Sequence, residues 1–152
     1  MEFLACLDWQ KAQEVVAQAL TTVAEEEAVE LLSATGRVTA ADILAQEDLP
    51  PFARSTVDGY AVRSADTFGA SEAAAALLEV AGEIHMGREA GFALEPGQAA
   101  AIPTGGMLPV GADAVVMLEY AEQPDRRTLL VQKKAAPNEN VLTQGEDVAC
   151  GE

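Results

Sequence analysis

With 152 residues and 49% hydrophobic content, the chain is long enough to bury a core as one or two small domains. Nine Lys and Arg against twenty-five Asp and Glu give a net charge of -16, a field that opposes nucleic acid and anionic membrane faces and leaves proteins, small molecules and cations as partners. Cys6 and Cys150 lie far apart with no C-x-x-C pair, no apolar run reaches membrane-span length and no signal-peptide pattern opens the chain, so the composition predicts a cytoplasmic protein with neither a disulfide framework nor a zinc site.

In chain order, Ala12, Val15, Val16, Ala19, Leu20 and Val23 recur at spacings of three and four after Asp8, which predicts a helix from Asp8, its N-cap, to Ala24. Glu25-Glu26-Glu27 reads as its solvated end, since adjacent helical carboxylates point apart and make poor joint metal ligands. Glu30 to Thr35 predicts a short helix stopped by Gly36, and Arg37 to Leu44 predicts a strand. Pro50-Pro51 marks a boundary. Beyond it, Ala61-Val62, Leu77 to Ala81, Ala99 to Ile102, Ala114 to Leu118 and Leu129 to Val131 are apolar runs between turn residues, predicting strands of a compact β-rich unit.

Within that stretch, the alanine run Ala73 to Ala76 reads as one helical turn, and the glycine-rich Gly82 to Gln98 as hairpin loops. Ala135 to Asn140 reads as a linker to a last strand or turn near Gly145 to Val148. No internal repeat is visible. The ending Cys150-Gly151-Glu152, with no predicted element closing the structure behind it, predicts a fragment.

Two segments combine small polar side chains with glycines and prolines that fix the backbone beside them, the pattern of a reacting or binding group held on a stiff loop. They are Ser55-Thr56-Val57-Asp58-Gly59-Tyr60-Ala61-Val62 and Ile102-Pro103-Thr104-Gly105-Gly106-Met107-Leu108-Pro109. Asp58 and Thr104 are the candidate site residues. A carboxylate at a glycine-backed turn can hold a metal-bound water, take a proton or orient a ligand. A threonine hydroxyl beside free Gly105 and Gly106 amides can bind a small oxyanion. The competing reading makes Asp58-Gly59 a tight-turn device and Thr104 a turn residue. Asp113, Glu119, His85 and Gly145-Glu146-Asp147 read as structural or solvated, and Tyr60 to Val62 as core.

These two segments, together with Gly36-Arg37-Val38, Gly111 to Val116, Asn140-Val141 and Gly145-Glu146-Asp147, stand in the order and spacing of the molybdopterin molybdenumtransferase (MoeA) family, and the pattern is similar to the E domain of gephyrin. The resemblance covers nearly the whole chain but only the N-terminal part of such proteins. It implies an α+β, mostly β fold: an N-terminal helix over residues 1–26, an elongated linker region over 27–47 with 138–152, and an inserted β-rich domain over 48–137. It also implies a homodimer whose full-length form uses magnesium to insert molybdate into adenylylated molybdopterin and releases AMP. A following α/β domain and a C-terminal β-barrel would be missing here, so the fragment alone would be inactive and would bind no metal. Carried over, Asp58 and Thr104 are catalytic residues at a cleft edge facing the partner subunit, with Ser55, Gly105 and Gly106 binding substrate. Two departures remove potential anion contacts: Leu142-Thr143-Gln144 where many members have arginines, and Ala99-Ala100-Ala101 where a basic residue often precedes the threonine loop. Arg54 and Arg63, flanking Asp58, are candidates to compensate. The alternative function is a non-catalytic dimerisation or scaffold module of the gephyrin type.

Overall fold

Apolar residues buried from both sides set the architecture of this chain. The computed structural model describes residues 7–20 and 25–152, and the chain divides into two units, Met1–Ile43 and Leu44–Glu152.

In the first unit, helix α1 spans Trp9–Ala19. Asp8 caps it as predicted, accepting a 2.9 Å bond from the Lys11 amide and so satisfying one of the orphan donors of the first turn. Residues 21–24, the predicted end of the helix, lie outside the described residues. The short helix predicted at Glu30 to Thr35 is a 3-10 turn over Leu31–Ser33, after which Gly36 takes a φ of 82° that favours glycine. The strand predicted over Arg37 to Leu44 does not form. Its β-favouring residues find no strand among the described residues to pair their amides, and Val38 stays 95% exposed.

The second unit holds eight strands: β1 (Arg54–Ser55), β2 (Gly59–Val62), β3 (Ala76–Glu83), β4 (Gln98–Ile102), β5 (Ala114–Met117), β6 (Ala121–Glu122), β7 (Thr128–Val131) and β8 (Val141–Leu142). β1 and β8 form a small antiparallel pair, and the other six form one sheet in the order β5-β2-β4-β3-β7-β6. The fold is thus mixed α+β, mostly β. One face of the sheet carries Tyr60, Val62, Leu78, Val116, Leu129 and Val131, and a second cluster joins Ala61, Ile84, Leu94, Ala100, Ile102 and Val115. Alternate residues of β2 and β5 thus enter different clusters, so these central strands are buried on both sides. That is why they read as continuous apolar runs and were predictable.

The connections departed from expectation. Ala73 to Ala76 is not helical: the Ser71 and Ala74 amides exchange bonds of 3.0 and 3.1 Å, while Ala76 is claimed by β3 opposite Val131. Gly82 to Gln98 is not a hairpin, because β3 and β4 run parallel and the segment must cross back to the start of β4. It does so by folding inward, burying Ile84 and Leu94 and laying the Phe92 ring against Gly82, where a Cβ would stand 3.0 Å from it. At the chain's end, the Leu49–Val148 bridge and bonds between Ala45 and residues 151–152 join both ends of this unit. Among the described residues, no helix is long and apolar enough to cross a membrane.

Candidate functional site

Asp58 stands at the turn between β1 and β2, and Thr104 in the loop between β4 and β5. Both loops are anchored in the sheet. Gly59 is paired with Ile102 on one side and Met117 on the other, and a Cβ there would run into the Val116 carbonyl, so only glycine permits this approach. The Asp58 carbonyl then accepts from the Leu118 amide at 3.2 Å.

From these anchors the two candidates meet directly. Asp58 Oδ1 accepts from the Thr104 amide at 2.7 Å and from the Thr104 hydroxyl at 3.0 Å. Asp58 therefore clips one loop to the other and does not bond its own turn. Both residues remain exposed. The Thr104 amide, and then the Thr104 hydroxyl, hold the Asp58 carboxyl below the usual aspartate range, because both bonds favour the charged form. At neutral pH the group is a fixed negative charge and a weak base, suited to orienting a cation or a donor. Its Oδ2 has no hydrogen-bond partner among the described residues.

The backbone of the threonine loop differs from the expected anion cradle. The Gly105 amide donates to the Ser55 carbonyl at 2.8 Å, and the Gly106 amide donates to the Pro103 carbonyl at 2.9 Å. With the Thr104 amide on Asp58, none of the three is free, so they form no anion-binding concavity. Ser55 is buried; its hydroxyl donates to the Val57 carbonyl at 2.5 Å and accepts from the Val57 amide at 3.2 Å. Ser55, Gly105 and Gly106 thus join the loops to each other, and each direct bond recorded for them is spent within the chain.

A third segment completes this support. The Thr56 amide donates to the Asn140 carbonyl at 3.0 Å, and the Asn140 side-chain amide donates to the Val115 carbonyl at 2.9 Å. Asn140 has a φ of 59°, a left-handed conformation that asparagine tolerates better than most residues. Its role was missed in the sequence, although an Asn-rich stretch before β8 was the available signal. Met86 was missed too: its Sδ lies 3.6 Å from where a Gly105 Cβ would stand, so the long 84–97 segment borders the site.

The remaining candidates sit elsewhere. Arg63 is turned toward Asp66, 4.0 Å away. Asp113 is bound to Ser64, accepting from its amide at 2.6 Å and its hydroxyl at 2.7 Å. His85 and Glu119 are exposed, Glu146 accepts from Thr143, and Gln144 donates to Asp48 at 2.7 Å. Among the described residues, no group of three or more His, Cys, Asp or Glu side chains is placed to hold a metal. Magnesium favours several oxygen ligands and retained waters. Asp58 offers one uncommitted oxygen, so these residues do not by themselves furnish a magnesium site.

The six-stranded sheet, the β1–β8 pair and the two clipped loops make up one mostly β module. Residues 7–152 match the family described as the MoeA N-terminal region, domains I and II, and the chain belongs to that family. It is similar to molybdopterin molybdenumtransferase 2 of Mycobacterium tuberculosis, 37% identical over 142 residues that cover 93% of this chain and 35% of that protein. The Bacillus subtilis molybdopterin molybdenumtransferase is 37% identical over 130 residues, covering 84% and 30%. The crystal structure of the molybdopterin biosynthesis MoeA protein of Pyrococcus horikoshii superposes with a TM-score of 0.75 at 45% identity, covering 94% of this chain and 36% of that one. The chain spans about a third of the length of the curated relatives it matches.

Proposed function

We propose that this chain serves molybdenum cofactor biosynthesis as the N-terminal region of a molybdopterin molybdenumtransferase, which inserts molybdate into adenylylated molybdopterin and releases AMP. The match of residues 7–152 to the MoeA N-terminal region is the observation that carries the reading, and the direct bond from Thr104 to Asp58 supports these two residues as its site. The bond joins the two family-like loops through one exposed carboxylate that is charged at neutral pH. Asp58 is assigned to orient a donor or a hydrated cation through its free oxygen, and Thr104 to hold that carboxylate charged and in place. With the loop amides and Ser55 already bonded internally, oxyanion contacts fall to groups outside these residues. So do the donors for magnesium, the proposed cofactor of the longer protein. A homodimer in the cytoplasm, without nucleic-acid or membrane partners, is the setting this reading assumes.

A second reading is a gephyrin-like assembly module, favoured by the apolar side chains of the first unit, where Leu32 is 95% exposed. The two are separated by Asp58→Asn in a protein of the relatives' full length. This change keeps the side chain's shape and removes its charge, so molybdenum insertion should fall by about 10-fold or more while the melting temperature and the mass in solution stay unchanged. Unaltered turnover would remove Asp58 from the reaction, whereas absence of any molybdenum insertion by the unsubstituted full-length protein would leave assembly as the better account.

A further inference from the structure

In the Leu44–Glu152 unit, a cavity of about 530 Å3 opens between the Phe68–Glu72 turn and the 132–139 segment. Its volume falls within the roughly 300–1,000 Å3 typical of small-molecule sites. Ala70, Ala135, Ala136 and Pro137 contribute to its lining, together with Phe68, whose ring is left 68% exposed.

The backbone of the 135–136 wall is held in place. The fully buried Thr67 hydroxyl accepts from the Ala135 amide at 2.9 Å and donates to the Ser64 carbonyl at 2.8 Å, pinning the two walls together. The Ala136 amide donates to Glu139 at 2.8 Å. A ligand would therefore meet a formed backbone and would have to order only the exposed Phe68 and Lys134 side chains.

The two lysines at the cavity differ in their commitments. Lys133 lies over the Tyr120 ring, 4.6 Å from its centroid, and 3.4 Å from Glu139 Oε1. Lys134 has no carboxylate within ion-pair distance among the described residues and acts on Glu139 only at longer range. The Ala136 amide and then Lys133 keep Glu139 charged, so that carboxylate is matched locally. Glu72, also in the lining, has no basic partner within ion-pair distance among the described residues and would repel a second anionic group.

We propose that this cavity binds a small amphipathic monocarboxylate, with its apolar body against Phe68, Ala70, Ala136 and Pro137 and its carboxylate on Lys134. A wholly apolar ligand would desolvate the Lys134 ammonium without pairing it, and a dianion would meet Glu72 as well as the chain's excess negative charge. The site is separate from the Asp58 loops and does not depend on the function proposed for them.

The test uses the 152-residue chain and phenylbutyrate as the probe, with phenylbutyramide as its uncharged counterpart and a phenyl-bearing dicarboxylate as the doubly charged one, all followed by backbone amide NMR. Saturable shifts are expected at Ala70, Ala135 and Ala136, with the amide and the dicarboxylate each binding about 3- to 10-fold more weakly, the range of a partly exposed charged contact. Lys134→Gln should remove that preference for the acid while leaving affinity for the amide unchanged. Phe68→Ala should weaken both without altering the spectrum of the sheet. Absence of saturation, equal affinity for acid and amide, equal or tighter binding of the dicarboxylate, or an unchanged preference in Lys134→Gln would overturn the proposal.

Discussion

The two units of this chain use similar apolar residues to opposite ends. In the Leu44–Glu152 unit, Leu78, Leu129, Val62, Val115 and Val131 are almost wholly removed from water. In the Met1–Ile43 unit, helix α1 has no buried residue, and Leu31, Leu32, Val38 and Ile43 all face solvent within the chain. The difference lies in hydrogen bonding and layering. A sheet strand paired on both edges presents two faces that neighbouring segments can cover, whereas the helix and the 3-10 turn among the described residues of the first unit supply too little surface to enclose a core. Intrinsic stability should therefore reside in the second unit.

The sharpest way to break that contrast is a cavity in the sheet. Leu129→Ala removes a fully buried side chain and should cost about 2–5 kcal/mol, read by thermal or denaturant unfolding of the 152-residue chain. A loss below about 1 kcal/mol would show that the core contributes less than its burial implies. Next in size is Asp113→Ala, which leaves the Ser64 amide and hydroxyl without their acceptor; about 1–3 kcal/mol is expected. Leu32→Ser, at the exposed extreme, should change stability by no more than about 0.5 kcal/mol. A cost comparable to Leu129→Ala would mean that the first unit is covered in solution.

The smallest expected effect concerns the loop clip. Asp58 has its pKa lowered in the folded state, so its bond to Thr104 adds stability above the unfolded aspartate pKa, and this is lost as pH falls through the folded value. Because the group is exposed, the change is local. The Thr104 amide signal should hold its position from neutral pH down into the acid range and shift only on protonation of Asp58. A shift centred near neutrality would contradict the depressed pKa and reopen a role as general base.

Much of the β-rich unit was legible because its central strands are buried on both faces, which forces unbroken apolar runs at Ala61-Val62, Ala99 to Ile102 and Ala114 to Met117. The same signal misled at Arg37 to Leu44. Apolar and β-branched residues state a preference for a strand, but a strand exists only where another supplies its hydrogen bonds. The two-residue strands β1, β6 and β8 were unreadable for the converse reason: they are defined by partners distant in sequence, such as Ser55 opposite Val141, and carry no pattern of their own.

For the site, the sequence by itself determined which positions could be special, through glycines and prolines that restrict the backbone beside Asp58 and Thr104. It also determined the family, since ordered motifs survive without coordinates. Only the tertiary structure decided what those residues do to one another. Asp58 reaches across to the Thr104 loop, Ser55 turns inward to Val57, and the Gly105 and Gly106 amides are consumed by carbonyls of the neighbouring loop and of Pro103. A sequence records which donors and acceptors a chain owns. Which of them are already spent depends on distances of about 3 Å between segments far apart along it, and those are set by the sheet that brings the loops together.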